Sequence, residues 1–366
     1  MASHRRYWFF RRLYRNPLVA ACQIAVLTVL AALWRRLLFR TVFVGITGSV
    51  GKTTAKDCLA AVLATAGPTI ATAGSRNETR EVARQILRVR PFHRFAFPAD
   101  EAIAQEKVEL VKAVPPKGKV LLNHDDPLVT QMAASVGAQV VFFGPQPAAP
   151  EIAFHDAAED AGWPGRFQFC SLENFPGPQS LELPAAQRIS PQFLGDPWGP
   201  SFAAAYAAGR LLGVPSSQVL AALEKVKPQT ARLEPCPLPN GAVLIRDELK
   251  NDPGPLAAAA RFLKKAKARR RVAVLGPASD TGMGSRDSFR NMARQLLGAA
   301  ELYVFVGQDG DCAVKVLHRP QDLVLLKASN SSHPSRLFFS QLGPIRCFRE
   351  KCDGLGLCDH CPELKE

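Results

Sequence analysis

The chain has 366 residues, of which 47% are hydrophobic and 21% are charged. This composition is typical of a globular protein and excludes a largely disordered one, and the length predicts about two or three domains. The net charge is +14, but the first forty residues contain eight arginines and no acidic residue, which leaves +6 for the rest of the chain. The basicity therefore belongs mainly to one terminal segment.

The remaining positive charge does not indicate a nucleic-acid-binding protein. Such a protein would spread basic residues over a folded face, with aromatic side chains for stacking. The other basic cluster, Lys264–Arg271, comes directly before a predicted strand and indicates the end of a solvated helix. Nucleic acid is therefore not expected as a partner.

An uncharged stretch, Pro17–Trp34, lies between the arginines of residues 1–40. As a helix it would reach about 25 Å, against roughly 30 Å of hydrocarbon in a bilayer, so it would span a membrane only marginally. No small-residue cleavage site followed by a mature domain is evident, which argues against a removed signal peptide. We predict a basic, hydrophobic, membrane-associated helix over residues 1–40, with its arginines on an anionic membrane surface. A helix packed on the following domain is the alternative interpretation.

The stretch Gly45–Thr54 reads GITGSVGKTT and lies between the β-branched run Thr41–Val44 and the helix-like run Ala55–Ala66. A strand that leads through a glycine-bearing loop into a helix directs backbone N–H groups and a helix N-terminus at one place, as in phosphate sites. This loop predicts binding of ATP or GTP, and a chance GKT string is the alternative. Lys52 would contact the β- and γ-phosphates and the Thr53 hydroxyl would bind Mg²⁺. The predicted nucleotide-binding residues of the loop are Gly48, Ser49, Val50, Gly51, Lys52, Thr53 and Thr54.

Short apolar runs alternate with helical stretches along most of the chain, as in parallel sheets with crossover helices. The predicted strands of the first half are 41–46, 69–71, 94–97, 120–122 and 139–143. Residues 145–184 are rich in Pro and Gly and predict an antiparallel flap, whereas 201–212 and 216–226 predict helices. A second α/β unit is predicted from strands 242–246, 272–275, 302–306 and 323–326, with helices 255–267 and 286–297.

Four stretches of sequence together match motifs of one enzyme family. The loop has the form GxxGKT preceded by Thr47, Leu122–Pro127 reads LNHDDP, Ala102–Glu109 reads AIAQEKVE, and Leu325–Ser329 reads LLKAS. On these residues the chain, from about Thr41 to Leu342, resembles the Mur ligase family, in particular its D-alanyl-D-alanine-adding branch. Mur ligases join an amino acid or peptide to a carboxylate at the expense of ATP.

The resemblance implies an α/β fold with two domains between the terminal segments. A P-loop parallel-sheet central domain would occupy 41–230, and a smaller Rossmann-like C-terminal domain would occupy 231–343. The N-terminal hydrophobic helix of 1–40 would precede them, and a Cys-rich tail, 344–366, would follow. Because only forty residues precede the first predicted strand, the family's UDP-binding N-terminal domain is not expected, and a lipid-linked acceptor is the corresponding expectation.

The family's reaction implies ATP and Mg²⁺ as cofactors. A carboxylate attacks the γ-phosphate to give an acyl phosphate, an amine attacks that intermediate, and phosphate leaves. The catalytic candidates are Lys52, Lys107, which matches a family lysine that is carbamylated and binds metal, and Lys250 in the segment RDELKNDP. The resemblance also implies Asn77 and Lys327 on the substrate side, and Asn123, Asp126, Arg232 and Asp247 on the nucleotide side. Ordinary alternatives are a surface lysine for Lys107, an Asx turn for Asp126, and loop-end charges for the C-terminal residues.

The chain departs from the family's pattern at two places. Between Phe97 and Ala102 the family has a further strand and helix with a magnesium-binding glutamate, for which Glu101 and Glu106 are the nearest substitutes here. The family has a GRHNxxN motif near the adenine. The corresponding segment here, Gly195–Ser201, reads GDPWGPS, so Ser201 stands in place of the second asparagine. Loss of a metal carboxylate would reduce catalysis more than nucleotide binding.

Four cysteines lie close together at the end of the chain, as Cys347, Cys352, Cys358 and Cys361. Their spacing, C-x4-C-x5-C-x2-C, is irregular for a zinc ribbon but compact enough for a tetrahedral Zn²⁺ site. Disulfides or a loose tail are the alternatives. The other five cysteines are interpreted as ordinary reduced thiols.

The sequence therefore predicts an ATP-dependent carboxylate–amine ligase of Mur type in cell-envelope synthesis, on the cytoplasmic side of the membrane. Its expected partners are a nucleotide, an envelope precursor that carries a carboxylate, and an amino acid or peptide. A catalytically degenerate nucleotide-binding scaffold or regulatory protein at the membrane is the second hypothesis, favoured by the shortened link after Phe97. A P-loop ATPase or kinase of another kind is the third, and the LNHDDP and LLKAS segments argue against it.

Overall fold

A computed structural model describes most of the chain, and the described residues form two compact units. The first unit contains the described residues up to Phe143 together with Pro200–Leu223, and the second contains those from Glu224 onward and a few before Pro200. The described ranges are 17–48, 51–72, 79–98, 100–101, 104–124, 126–143, 193–194, 198–249, 253–266, 268–276, 285–306, 322–329, 332–347 and 357–364. The predicted flap, 145–184, lies outside them.

Parallel strands form the sheets of the first unit. In chain order its elements are α1 (Pro17–Leu37), β1 (Val42–Phe43), β2 (Ile46–Thr47), α2 (Lys52–Ala64), β3 (Thr69–Ala71), α3 (Thr79–Arg88), β4 (Phe95–Phe97), β5 (Asp100–Glu101), α4 (Ala104–Lys112), β6 (Lys119–Asn123), α5 (Pro127–Gln131), β7 (Gln139–Phe143), α6 (Gly199–Leu211) and α7 (Ser216–Lys225). Strand β4 lies between β1 and β3, β2 pairs with β5, and β6 pairs with β7, all in parallel. The predicted α/β fold with parallel sheets is confirmed.

The central strand β4 shows why the sequence pattern was informative here. Phe95, Ala96 and Phe97 are all buried, because the strand has neighbours on both edges and is covered on both faces. Strands of parallel sheets that are buried on both faces have continuous apolar sequences, which is the signal that predicted this strand. The strands predicted at 120–122 and 139–143 are confirmed as β6 and β7.

Helix α6 packs directly on helix α2, which follows the phosphate-loop sequence. A Cβ atom on Gly209 would lie 2.6 Å from Cγ1 of Val62 in α2 and 3.2 Å from Cγ2 of Val219 in α7. At 2.6 Å a Cβ atom would force Val62 or the helix backbone to shift, so glycine permits this close approach of the helices. The close approach brings the N-terminal end of α6 to the start of α2.

Helix α1 packs one face against the unit around helix α3. Ala31 and Leu38 are buried, and the indole N–H of Trp34 donates a 2.9 Å hydrogen bond to the backbone oxygen of Val89. This contact corresponds to the packed-helix alternative for one side of α1. Within the part of the chain that the structure describes, no helix combines the length and apolar character needed to cross a bilayer.

The second unit is built on a five-stranded sheet among its described residues, in the order β11–β10–β12–β9–β8. Its elements are β8 (Glu234–Pro237), β9 (Val243–Asp247), α8 (Pro253–Lys265), β10 (Arg270–Leu275), α9 (Ser285–Leu296), β11 (Leu302–Phe305), β12 (Asp322–Lys327) and α10 (Ser335–Leu342). Strands β9 to β12 pair in parallel, whereas β8 pairs with β9 in antiparallel orientation. The four predicted strands of this unit are confirmed as β9, β10, β11 and β12.

Two elements of the second unit were not predicted from the sequence. Strand β8 reads EPCP, and two prolines in four residues are poor strand formers because proline has no backbone N–H. They are tolerated because β8 lies at the edge of the sheet, where one side of the strand needs no partner. Helix α10 is short, and its sequence SRLFFSQL has no capping signal that would have predicted it.

Arg246 in strand β9 holds the C-terminal tail on the second unit. Its guanidinium donates to both carboxylate oxygens of Asp359, at 2.6 and 2.8 Å, and to Oε1 of Glu248, at 2.8 and 2.6 Å. The guanidinium also lies 4.5 Å from the centre of the Phe338 ring. Cys358 and Leu364 of the tail are buried in the apolar cluster of the sheet, so this part of the tail belongs to the core.

We expect the substitution Asp359→Asn to lower the free energy of unfolding by about 1–3 kcal/mol, because it leaves the buried Arg246 with one carboxylate partner fewer. Urea titration of the full chain measures this difference. Glu109→Gln is the matched control, since Glu109 and Lys112 form an exposed pair whose loss should cost less than about 1 kcal/mol. Equal effects of the two substitutions would show that Asp359 contributes nothing specific.

Candidate functional site

The phosphate-loop sequence ends in a left-handed glycine at the start of helix α2. Gly51 is the residue before Lys52 and has φ 80° and ψ −5°, which glycine adopts without strain. A Cβ at this position would lie 2.7 Å from the Oγ atom of Ser201, which donates a 3.2 Å hydrogen bond to the Gly51 oxygen. Both the backbone conformation and the contact with α6 therefore require glycine here.

Ser201 contacts the phosphate-loop sequence, although the family pattern marked it only as a departure. It stands where the family has the second asparagine of GRHNxxN, and the structure places it against the phosphate loop instead. The contact spans 150 residues of sequence, so no local pattern could have predicted it. The sequence did show that a serine hydroxyl replaces the family's asparagine amide at the start of α6, which marks the position as unusual but does not identify its partner.

The side chain of Lys52 folds back over the loop. Its Nζ atom donates a 2.6 Å hydrogen bond to the backbone oxygen of Gly48. Thr53 and Thr54 are almost completely buried in the first turn of α2, while Ser49 and Val50 lie outside the described residues. An ammonium group over a loop that ends at a helix N-terminus is the arrangement that binds the phosphates of a nucleotide.

The shortened link after Phe97 forms a strand beside the phosphate loop. Strand β5 pairs with β2 so that Asp100 lies opposite Ile46 and Glu101 lies opposite Thr47, the residue directly before Gly48. The backbone therefore brings a glutamate to the edge of the sheet from which the loop emerges. Lys107 lies on the following helix, α4, and its side chain is outside the described part of the structure.

Lys56, one turn into helix α2, is a buried cation that the sequence did not single out. Its side chain is 0% exposed, and its Nζ atom donates hydrogen bonds to the backbone oxygen of Thr72, at 2.7 Å, and to the Thr72 hydroxyl, at 3.3 Å. Thr72 directly follows strand β3, so this lysine ties the phosphate-loop helix to the next loop. That loop contains Asn77, which lies outside the described residues.

Asp126 caps helix α5. Its Oδ1 atom accepts hydrogen bonds from the backbone N–H groups of Leu128, at 2.9 Å, and Val129, at 3.4 Å. This is the local side-chain-to-backbone contact given above as the alternative for Asp126, and its role toward a nucleotide stays a prediction. Asn123 ends strand β6 in the same segment, and Asp125 is outside the described residues.

In the second unit, Asp247 and Lys327 form a buried ion pair. They are aligned with each other at the C-terminal ends of the parallel strands β9 and β12, and Lys327 Nζ lies 2.8 Å from Asp247 Oδ2. The Lys327 side chain is 0% exposed and the Asp247 side chain is 9% exposed. Burial raises the pKa of Asp247, and the neighbouring Lys327 ammonium opposes this shift. Carboxyl ends of parallel strands are where α/β sheets bind ligands.

Arg232, in the loop before strand β8, acts electrostatically on Asp247. It lies between Ala231, with φ 61°, and Leu233, with φ 47°, two positive values that are uncommon outside glycine. The N–H of Leu233 donates a 3.3 Å hydrogen bond to Asp247 Oδ1, and the charge of Arg232 helps to lower the pKa of Asp247. The strained loop therefore brings Arg232 close to Asp247, whereas Lys250 and Asp252 lie outside the described residues.

The structure does not support the predicted zinc site. Among the described residues, which include Cys347, Cys358 and Cys361 but not Cys352, no three His, Cys, Asp or Glu side chains are grouped as metal ligands. Cys358 Sγ instead lies 3.7 Å from Nδ1 of His333 and belongs to the apolar cluster of the sheet. The described part of the tail is therefore packed on the second unit through its core contacts.

Five known proteins that are related to the chain in sequence all carry the name UDP-N-acetylmuramoyl-tripeptide–D-alanyl-D-alanine ligase. No family model matches the chain. The UDP-N-acetylmuramoyl-tripeptide–D-alanyl-D-alanine ligase of Mycobacterium tuberculosis is 28% identical over 79% of this chain and 70% of its own length. The predicted resemblance to the Mur ligases is confirmed.

Solved structures of Mur ligases share the fold of the chain. MurF from Acinetobacter baumannii has a TM-score of 0.70 at 20% identity, over 87% of this chain and 80% of that protein. The MurF ligase from Thermotoga maritima, solved in complex with ADP, has the same TM-score at 18% identity, over 86% and 82%. At these identities the likeness establishes the Mur ligase fold, while the roles of individual residues remain proposals.

Proposed function

We propose that the chain is an ATP-dependent carboxylate–amine ligase of Mur type that acts in peptidoglycan synthesis. The acceptor carboxylate attacks the γ-phosphorus of ATP, which gives an acyl phosphate and releases ADP. The amine then attacks the acyl carbon, loses a proton, and displaces inorganic phosphate, so that an amide is formed. The relatives' name specifies a UDP-N-acetylmuramoyl tripeptide and D-alanyl-D-alanine. We propose a muramoyl peptide as the acceptor of this chain, either UDP-linked or, as the sequence predicts, lipid-linked, and D-alanyl-D-alanine as the amine.

The observation that carries this proposal is the phosphate loop in a chain whose relatives are ligases. Gly51 adopts the left-handed conformation directly before α2, which begins at Lys52. Ser201 of α6 donates a hydrogen bond to the Gly51 oxygen. When a nucleotide binds, we expect the Lys52 ammonium to exchange its bond to the Gly48 oxygen for bonds to phosphate oxygens. For the second unit by itself, the family pattern implies binding roles for Arg232, Asp247 and Lys327.

We propose that residues around the loop hold a magnesium ion. Mg²⁺ prefers oxygen ligands and is commonly held by a hydroxyl and a carboxylate together with phosphate oxygens. Thr53 supplies the hydroxyl at the start of α2, and the β2–β5 register brings Glu101 beside Thr47. When bound, the ion neutralises charge on the β- and γ-phosphates. We propose that Glu101 replaces the magnesium-binding glutamate of the missing family segment. We also propose that Lys107, when carbamylated, is a second ligand of the ion.

We expect Glu101→Gln to reduce the gain in ATP affinity that Mg²⁺ provides by at least about tenfold, because an amide is a weaker ligand than a carboxylate. Titration of a fluorescent ATP analogue, with and without Mg²⁺, measures this gain directly. Glu106→Gln is the matched control, since Glu106 is the other nearby glutamate and lies on α4. A loss with Glu106→Gln and none with Glu101→Gln would reverse the assignment.

The proposed domains follow the family arrangement, with a central domain over 41–230 and a C-terminal domain over 231–343. We also propose that the protein works at the cytoplasmic face of a membrane, where ATP is available. The basic N-terminal segment supports that location.

A nucleotide-binding scaffold remains the second candidate, because the link after Phe97 is shorter than in the family. Incubating the full chain with ATP, Mg²⁺, the muramoyl tripeptide and D-alanyl-D-alanine separates the two candidates. A ligase gives ADP, phosphate and amide in equal amounts, and only when both substrates are present. A scaffold binds ATP through Lys52 but yields no ADP with any tested carboxylate and amine.

A further inference from the structure

Helix α1 has two unlike faces. One face packs on the first unit through Ala31, Trp34 and Leu38. The other face consists of large apolar side chains that are about half exposed or more. These are Val26 at 53%, Val29 at 59%, Leu30 at 49%, Leu33 at 51% and Leu37 at 67% exposure.

The exposed side chains form one continuous stripe. With 3.6 residues per turn, positions 26, 29, 30, 33 and 37 lie within an arc of about 100°. Phe39, in the turn after the helix, is a further exposed apolar side chain, at 83%. An exposed apolar surface of this continuity usually marks a binding surface, because its burial from water is favourable.

The charges around the stripe indicate what covers it. Arg35 and Arg36 lie in the last turn of α1, Arg40 follows Phe39, and the sequence before the helix adds five more arginines. Since no acidic residue occurs in the first forty, the partner should combine an apolar layer with negative charge. An anionic lipid bilayer has both, with acyl chains below phosphate headgroups.

We propose that the exposed face of α1, defined by Val26, Val29, Leu30, Leu33 and Leu37, binds the surface of an anionic lipid bilayer. The helix lies in the plane of the interface, because its opposite face is already packed on the protein. The apolar stripe enters the acyl-chain boundary while the arginines contact headgroup phosphates. Each exposed arginine adds about fivefold in binding at low salt, and salt weakens this part.

Flotation of the full chain with lipid vesicles tests the proposal without any nucleotide or substrate, so it is independent of the ligase assignment. We expect binding to vesicles of phosphatidylcholine with phosphatidylglycerol, and much weaker binding to phosphatidylcholine alone. Leu33→Asp should reduce binding to the mixed vesicles by at least about tenfold, because a charge replaces an apolar anchor. Arg36→Gln should reduce it about fivefold and lower its salt dependence.

Ala32→Asp is the matched control, because Ala32 is exposed on the same helix but outside the stripe. It introduces the same charge one residue away, so it should lose no more than the roughly fivefold that this charge costs, whereas Leu33→Asp also loses an apolar anchor. Thermal unfolding of all variants verifies that they fold. The proposal is overturned if the chain binds neither vesicle, if Leu33→Asp and Ala32→Asp are equivalent, or if the chain self-associates through this face and Leu33→Asp only abolishes that association.

Discussion

Replacing Lys52 with alanine should lower ADP formation by at least about 100-fold, because the ammonium that meets the charge on the transferred phosphoryl group is removed. ATP affinity should also fall, by about 10- to 100-fold, since a charge-assisted hydrogen bond to phosphate is lost. Release of ADP in a coupled assay and titration with a fluorescent ATP analogue measure the two effects.

Lys117→Ala is the control for general effects of losing a lysine, because Lys117 is exposed in the loop before strand β6. It should leave both ATP affinity and ADP release unchanged. The Lys52 prediction fails if the alanine variant binds ATP with unchanged affinity. In that case the loop would not be the nucleotide site, and the ligase assignment would lose its structural basis.

Replacing Lys327 with methionine should lower the free energy of unfolding by about 3–5 kcal/mol. The substitution leaves the carboxylate of Asp247 buried without its ammonium partner, and breaking a buried pair on one side has costs of this size. Urea titration of the full chain, followed by a probe in the second unit, measures the change. Lys264→Met, at an exposed position on helix α8, is the control and should change stability by less than about 0.5 kcal/mol.

The loss should depend on pH in a defined direction. Burial raises the pKa of Asp247 above its ordinary value of 3.8, and removal of Lys327 takes away the largest opposing effect, so the pKa rises further. A folded-state pKa above the unfolded one means that stability falls as the pH rises through that interval. Lys327→Met should therefore cost less stability near pH 4 than at pH 7.

The double substitution Asp247→Asn with Lys327→Met provides the decisive comparison. It removes both charges, so it should recover part of the stability and abolish the added pH dependence. If the double variant is as unstable as Lys327→Met at every pH, the loss arises from packing rather than from an orphaned carboxylate.

The sequence by itself determined the class of fold and the position of the phosphate loop. Continuous apolar runs such as Phe95–Phe97, with helical stretches between them, identify parallel strands because such strands are buried on both faces. The loop before Lys52 was equally visible, because glycine, lysine and threonine at fixed spacing reflect a local backbone requirement.

The residues that meet at the sites were decided by tertiary structure. Ser201 reaches Gly51 because α6 packs on α2, and Asp247 meets Lys327 because their strands align side by side. Strand β8 can contain two prolines because it lies at the edge of the sheet, where one side of the strand needs no hydrogen-bond partner. Local sequence encodes backbone preference and periodic burial, whereas these contacts join segments far apart in the chain. Which residues come into contact is decided when the helices and strands pack together. The sequence of either segment alone therefore does not predict its partner.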